Sequence, residues 1–514
     1  MSTTRPSATE PETAPEEVER LLARAAAAAP SWGRFTPAAR ADTLTAVADA
    51  LDARTGELVP PAAAETGYTT GRLTGEIKRT TVQLRMFADR VRSGAYLDVT
   101  IDRADPEFVL GPRPELRRHQ VPIGPVVVFA AGNFPFAFSV AGTDTASALA
   151  AGCPVILKTH PGHPRTSAAT AAIVHEALAE AGAPEGVFAM ITGRQAGVTV
   201  LRDARISAAA FTGSVRGGRA LFDIAAARPT PIPFYGELGS INPVVVTEEA
   251  LAERAEEIAS GFVASFTLGT GQFCTKPGVL LLPRDADTAQ TVEVIARAAG
   301  EVAAAPMLSA DIATGYGYRL AEITAAAGTD VLVKGAVSTD DGGVPQVSPS
   351  LVRVASVAQL RAAAAVLLEE CFGPAALVVP YDTEEEVEDL LADLDGALTV
   401  SIHTSREASG APGGDKYRRL VELAQQRAGR VVFNAWPTGV AVTHAQNHGG
   451  PYPAATSAHT SVGTGAVWRF LRPVVFQDAP DDLLPPALRE SNPLRVPRTI
   501  DGQSERLPAT ATES

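Results

Sequence analysis

Cys274 stands in Gly271-Gln-Phe-Cys-Thr-Lys-Pro-Gly278, among residues small or permissive enough for another molecule to reach its sulfur. The chemistry open to it is nucleophilic attack, because the thiolate is the reactive form and a cation such as Lys276 would favour it. A cysteine in a globular chain is more often a small buried apolar side chain, so Cys274 needs partners before it counts as a nucleophile. Glu237 is a second candidate, in Phe234-Tyr-Gly-Glu-Leu-Gly-Ser-Ile-Asn-Pro243. A carboxylate in that apolar, glycine-containing stretch would have a raised pKa and could act as a general base; the competing role is a helix cap or an ion pair. Asn133, in Ala130-Ala-Gly-Asn-Phe-Pro-Phe136, offers an amide that could donate to a developing oxyanion or close an Asx turn. In Phe211-Thr212-Gly213-Ser214, Gly213 and Gly218 bracket a helix start where a dinucleotide's pyrophosphate could approach the backbone. That segment is not the GxGxxG fingerprint, and such spacing also serves a plain turn; Gly315-Tyr-Gly-Tyr318 is weaker still and is set aside.

These residues need elements to hold them. Thr36 before Pro37 reads as an N-cap and first helical residue, with Leu44, Val47, Ala48 and Leu51 on one apolar face. Ile77, Leu84, Phe87 and Val91 repeat the pattern. From Gly124 the texture changes to short β-branched runs, Val126 to Phe129, Val155 to Leu157 and Ala208 to Thr212, separated by helical stretches. The alternation predicts βαβ units around a parallel sheet, and Asn133 and Ser214 then follow strand ends, where such sheets build sites. A helix from about Thr166 should end at Gly182, with Pro184 beyond it. A second series runs from Val244 through Val279 to Leu282, Ala376 to Val379, Leu398 to Ile402 and Val431 to Phe433, which predicts two α/β subdomains. Ala408 to Gly414 reads as an exposed loop and Asp340 to Gly343 as a turn. Ala137 to Leu157 lacks Lys and Arg, but Asp144 and Pro154 within it make a buried helix and strand the better reading than a membrane span.

The totals narrow the classes of function. A chain of 514 residues exceeds one compact core, and a net charge of −14 argues against nucleic acid or an anionic membrane as partner. Three cysteines, Cys153, Cys274 and Cys371, are too few and too odd for a disulfide framework and fit a reducing cytoplasm; Cys153 and Cys371 read as buried structural thiols. His444 and His448 have helical spacing, yet Gly449-Gly-Pro follows and no third ligand is evident, so no metal is expected. Residues 1–15 read as a disordered lead-in and 503–514 as a disordered tail.

Taken in order, Asn133-Phe-Pro, Val155-Ile-Leu-Lys158, Phe211-Thr-Gly-Ser214, Glu237-Leu-Gly, Gly271-Gln-Phe-Cys274 and Glu370-Cys-Phe-Gly-Pro374 resemble the aldehyde dehydrogenase superfamily over most of the chain. Phe136-Ala-Phe-Ser-Val-Ala-Gly142, Gly239-Ser-Ile-Asn-Pro243 and His448-Gly-Gly-Pro-Tyr-Pro453 resemble its NADP-preferring α-ketoglutaric semialdehyde (2,5-dioxovalerate) dehydrogenase branch. The resemblance implies an α/β fold with a Rossmann-type cofactor domain, an α/β catalytic domain and a small β bridging element. The corresponding spans are 16–245, 246–456 and 457–502, with 107–122 contributing to the bridge. It implies that Cys274 attacks the aldehyde, that Asn133 and the Cys274 amide stabilise the oxyanion, and that Glu237 activates the water that hydrolyses the thioester.

Lys158 matches the lysine that holds the adenosine ribose, and Glu370 and Phe372 match the pair that positions the nicotinamide ribose and ring. Thr212, Gly213, Ser214, Gly218 and Leu238 complete the implied dinucleotide contacts. Pro161 stands where many NAD-preferring relatives carry a glutamate that repels a 2′-phosphate, so Lys158, helped by His163 or Arg165, is expected to accept NADP, with NAD possible. The branch commonly has serine, glycine and asparagine where this chain has Gly132, Thr143 and Lys276, which leaves the substrate open. Arg469 and Arg472 could bind a substrate carboxylate or serve an interface. A different, larger or uncharged aldehyde and a CoA-acylating reaction are the alternatives, and a homodimer or homotetramer is implied.

Overall fold

The computed structural model describes residues 11–341, 343–406 and 416–505. The segment Ala408 to Gly414 lies outside the described residues, as do 1–10 and 506–514. The described parts of both termini are structured. Glu12 accepts from the amides of Gln195 and Ala196 at 3.0 Å each, Pro15 opens the helix Pro15–Gly33, and Gln503–Ser504 pairs with the strand Arg498–Ile500. The expected lead-in and tail are therefore too long by these residues. Their register was hidden because one anchor is a cap on a distant helix and the other a two-residue strand.

Five parallel strands form the first sheet, in the order Phe188–Ile191, Val155–Lys158, Val126–Phe129, Ala208–Thr212, Phe234–Glu237. Its central strand shows why the β-branched runs exist. Val126 and Val128 enter one apolar core, Val127 and Phe129 another, so both faces are covered and every position must be apolar. The helices Pro37–Ala53 and Thr70–Arg92 pack over the first of these cores through the predicted faces, Leu44 to Leu51 and Ile77 to Val91. The Thr36 hydroxyl accepts from the Ala39 amide at 3.2 Å, the predicted cap. The stretch Ala137 to Leu157 holds the buried helix Thr143–Ala151 and all but the last residue of the strand Val155–Lys158.

A second sheet has seven strands, in the order Thr329–Val333, Ser350–Val354, Ala375–Tyr381, Val279–Pro283, Pro243–Val246, Ala397–His403, Ala428–Phe433. All neighbours are parallel except the first pair. Pro243–Val246 lies inside this sheet, so the chain leaves the first sheet before residue 243, a few residues ahead of the boundary read from the sequence. The third sheet orders Leu471–Gln477, Leu116–Pro122, Val99–Asp102, Arg498–Ile500 and Gln503–Ser504. It pairs Leu116–Pro122 with Leu471–Gln477, segments the resemblance assigns to a bridging element, and adds three strands that were not anticipated. Among the described residues no helix is long and apolar enough to cross a membrane.

Candidate active site

The first sheet places the candidates at one end. Phe129 pairs with Lys158 and Phe211, and Thr212 pairs with Glu237, so Asn133, Lys158, Thr212 and Glu237 all follow or close parallel strands on the same side. The Cys274 loop comes from the second sheet, just before Val279–Pro283. Gly269, Thr270 and Gly271 have φ of 57°, 59° and 64°, and this left-handed run turns the chain sharply ahead of the cysteine. At Gly271 a side chain would run into the backbone of Gly373 and Pro374, so the close approach of two chain segments requires glycine there. Asn242 then clamps the loop to the sheet. Its Nδ2 donates to Cys274 O at 2.7 Å and Lys276 O at 3.0 Å, while its Oδ1 accepts from the Thr399 amide at 3.1 Å.

Around the sulfur the predicted partners converge. Asn133 Nδ2 donates to Gln272 O at 2.9 Å, tying the first sheet's loop to the cysteine loop. Cys274 Sγ lies 3.5 Å from His448 Nε2, and the same nitrogen lies 3.6 Å from Glu237 Oε2. The residue keeps a partly exposed edge, yet withdrawal from water, reinforced by the carboxylates of Glu237 and Glu370, pushes its thiol up to about 12, while Arg79 opposes this. Burial holds Glu237 well above the ordinary carboxylate range and pulls His448 down to about 3. At neutral pH the site therefore holds a thiol and a neutral imidazole beside a carboxyl whose ionisation is disfavoured by burial. Proton movement has to accompany bond formation instead of preceding it.

Lys276 does not serve the sulfur as the sequence reading allowed. It is buried, and its Nζ donates to Ala375 O at 2.7 Å. Cys153 and Cys371 are buried, and Cys153 donates to Phe470 O at 3.4 Å.

Ser214 caps the helix Val215–Ala226 by accepting from the Gly217 amide at 3.2 Å, and Leu238 packs where a side chain on Gly218 would have to go. Only Gly218 and Ala225 of that helix are buried, so its N-terminus is open. Lys158 ends its strand half-buried, with Nζ donating to Thr159 O at 2.7 Å. Glu370 is drawn up to about 7 by burial and lies against Gly239, while Phe372 is half-buried. A dinucleotide fits this group on two observations: the open capped helix, and the Thr212 hydroxyl oxygen, which is buried with no hydrogen-bond partner.

The helpers expected at the adenosine end are differently employed. His163 is buried with Nδ1 3.0 Å from Ser167 Oγ and Nε2 3.0 Å from Ala131 O, so neither ring nitrogen is left for a phosphate. Arg165 is exposed and ion-paired to Glu65 at 3.3 Å, and Pro161 is exposed. Arg469 is buried and paired with Asp144 at 2.8 Å, which removes it as a substrate anchor, and Arg472 is exposed on an edge strand.

At the three positions that depart from the branch, local packing is specific. The His160 ring occupies the space a side chain at Gly132 would need, and the Thr143 hydroxyl accepts from Gln83 Nε2 at 2.8 Å. His448 is a site residue the sequence reading assigned no role. It packs at the nucleophile, while His444 Nδ1 lies 3.1 Å from Thr464 Oγ1. A histidine directly before Gly449-Gly450-Pro451, where no helix can continue, was the available signal. Arg79 and Glu76 carried no local signal at all, and Asn242 was visible only as part of the Gly239-Ser-Ile-Asn-Pro243 motif.

Comparison with known proteins bears on this geometry. Residues 2–456 match the model of the aldehyde dehydrogenase family. The chain is 44% identical over 492 residues to α-ketoglutaric semialdehyde dehydrogenase 2 of Azospirillum brasilense, covering 95% of this chain and 92% of the relative. It is 39% identical over 495 residues to α-ketoglutaric semialdehyde dehydrogenase of Acinetobacter baylyi, covering 95% and 91%. Among solved structures, 3,6-anhydro-L-galactose dehydrogenase in complex with NAP superposes with a TM-score of 0.76 at 21% identity, covering 91% of this chain and 92% of that one.

Proposed function

The chain belongs to the aldehyde dehydrogenase family and is an oxidoreductase acting on aldehydes with NAD(P), and from that premise we propose that it oxidises α-ketoglutaric semialdehyde to the dicarboxylate, with NADP preferred. The observation that carries the reading is the sequence of short separations from Cys274 Sγ through His448 Nε2 to Glu237 Oε2, 3.5 and 3.6 Å. The substrate assignment is supported by the two relatives named for that aldehyde.

Cys274 attacks the carbonyl carbon. As sulfur bonds to carbon, negative charge moves onto the aldehyde oxygen, where the Asn133 amide and the Cys274 backbone amide receive it. The thiol proton has a neutral imidazole 3.5 Å away, and His448 takes it only as the new bond forms, since neither group ionises alone. Lys158, the Thr212-Gly213-Ser214 turn with Gly218 and Leu238, and Glu370 with Phe372 would hold the nicotinamide dinucleotide, whose chemistry would be to accept the hydride lost from the substrate carbon, leaving a thioester on Cys274. Glu237 then draws a proton from the water that releases the acid from Cys274, for which its carboxyl must first ionise. Lys158 with no carboxylate at Pro161 supports NADP over NAD, without His163 or Arg165 as helpers.

The same reading divides the chain into cofactor, catalytic and bridging parts and assembles copies of it through the third sheet. Its edge strand Leu471–Gln477 has one unpaired side and exposes Val475, and a second copy would cover it. Unpaired cysteines support a reducing cytoplasm. The test is turnover of α-ketoglutaric semialdehyde with NADP and with NAD, in the presence and absence of CoA. Acid formation that needs no CoA, with higher kcat/KM for NADP, is expected. Cys274→Ala should abolish turnover and keep dinucleotide binding. A requirement for CoA, or turnover surviving in Cys274→Ala, would overturn the reading.

A further inference from the structure

The helix Thr70–Arg92 turns one polar stripe toward the loop that carries Asn133. Arg72, Glu76, Arg79 and Gln83 recur at the spacing of a single helix face. Three of the four fasten that loop. Arg72 Nη2 donates to Asn133 O at 3.0 Å, Glu76 Oε1 accepts from the amides of Phe136 and Ala137 at 2.8 and 3.0 Å, and Gln83 holds Thr143.

Arg79 is spared that work. Its Nε and Nη2 are buried without an acceptor, and among the described residues it is the one arginine with two such atoms. The neighbouring carboxylate, Glu76, is turned to the loop amides instead. The Arg79 guanidinium lies 5.5 Å from the Phe138 ring centroid, and that ring lies 6.3 Å from the ring of His448. Its charge lowers the pKa of Cys274 and adds to the depression of His448, so it sits within electrostatic reach of the nucleophile.

Arg79 is half-buried, and an edge of a guanidinium withdrawn from water with empty donors costs free energy unless something fills them. Nε and Nη2 form one flat edge of the group, and this chain uses that edge elsewhere to hold carboxylates. Arg498 grips Glu505 with it at 2.7 and 2.6 Å, and Arg205 grips Asp203 at 2.8 Å on both atoms.

We propose that Arg79 is a specificity-determining residue whose Nε and Nη2 edge receives the carboxylate at the far end of the substrate, so that the site selects short semialdehydes ending in a carboxylate. This rests on Cys274 being the aldehyde-attacking nucleophile. Arg79 does not enter the bond-making steps; it fixes which aldehydes reach them.

The test compares full-length wild type, Arg79→Lys and Arg79→Met on 2,5-dioxopentanoate and on pentanal, which has the same length and no charge. Arg79→Met should lower the ratio of kcat/KM for the acid aldehyde over pentanal by about 10- to 100-fold, the range of a charge-assisted contact. Arg79→Lys should fall between. Any general effect of the missing charge on Cys274 acts on both substrates and cancels in the ratio. An unchanged ratio in a folded Arg79→Met would overturn the proposal, whereas wild type inert toward both aldehydes would instead sink the reading of Cys274. Should the Met variant fail to fold, wild-type pentanal oxidation is measured with glutarate or 1,5-pentanediol added. Selective competition by glutarate supports the anion site, and equal or absent inhibition by both overturns it.

Discussion

Two buried polar clusters border Glu237, and they obey opposite rules. Arg469 is closed: it pairs with Asp144 at 2.8 Å, donates to Ser147 Oγ at 3.0 Å and Ala466 O at 3.3 Å, and lies 5.9 and 5.0 Å from the centroids of Tyr235 and Phe470. Cys274, His448, Glu237 and Arg79 are open. The 3.6 Å between His448 Nε2 and Glu237 Oε2 is longer than a good hydrogen bond, and Glu237 Oε2 and two Arg79 donors lack hydrogen-bond partners. The closed cluster needs nothing further and joins the helix Thr143–Ala151 to the turn before the last long strand. The open one keeps its valences for atoms that arrive later. What distinguishes these two clusters is how far their charged groups are paired, not how deeply they are buried.

The largest effect that would break this contrast lies in the open cluster. Glu237→Gln should slow steady-state turnover about 100-fold or more, while a burst of reduced cofactor survives in stopped-flow, because acylation does not need the carboxylate. Full steady-state activity would remove Glu237 from the mechanism.

In the closed cluster, Arg469→Met should act on folding instead, costing about 3–5 kcal/mol by leaving Asp144 unpaired. A clear drop in Tm would be read by calorimetry, and an unchanged Tm would show the pair to be dispensable. Since Arg469 also holds down the Glu237 pKa, the pH at which deacylation switches on should rise in this variant.

The smallest effect sharpens the comparison through pH. Burial raises the Glu237 carboxyl above its unfolded value, so its contribution to stability is complete below the ordinary carboxylate pKa and is lost as pH rises through the raised one. Glu237→Gln stays neutral throughout. Its Tm should match wild type near about pH 4 and exceed it by a few degrees at about pH 8; a Tm difference independent of pH would contradict the raised carboxyl.

How far the sequence could be read follows from the range of each signal. The run Val126 to Phe129 was legible because a strand covered on both faces must be apolar at every position, and the Thr36–Pro37 helix start because a cap and its helix are adjacent in sequence. Cys274, Glu237 and Asn133 could be named from motifs; the structure sets Glu237 beside the histidine that reaches the sulfur and ties Asn133 to the cysteine loop. His448 could not be joined to the site from the sequence, since it lies 174 positions from Cys274. Arg469 was taken for a possible ligand contact because an arginine's sequence neighbours do not reveal whether a carboxylate such as Asp144 waits behind it.

What the amino-acid order determined unaided was most of the parallel strands, the family and the candidate reactive groups, all carried by local pattern and by motifs a few residues long. Which charges are paired and which are left empty was decided only by tertiary packing. Arg79 and Arg469 are the same residue type, and the acceptors around each are brought there by segments remote in the chain. Electrostatic satisfaction is a property of three-dimensional neighbours, and no periodicity along the backbone encodes it.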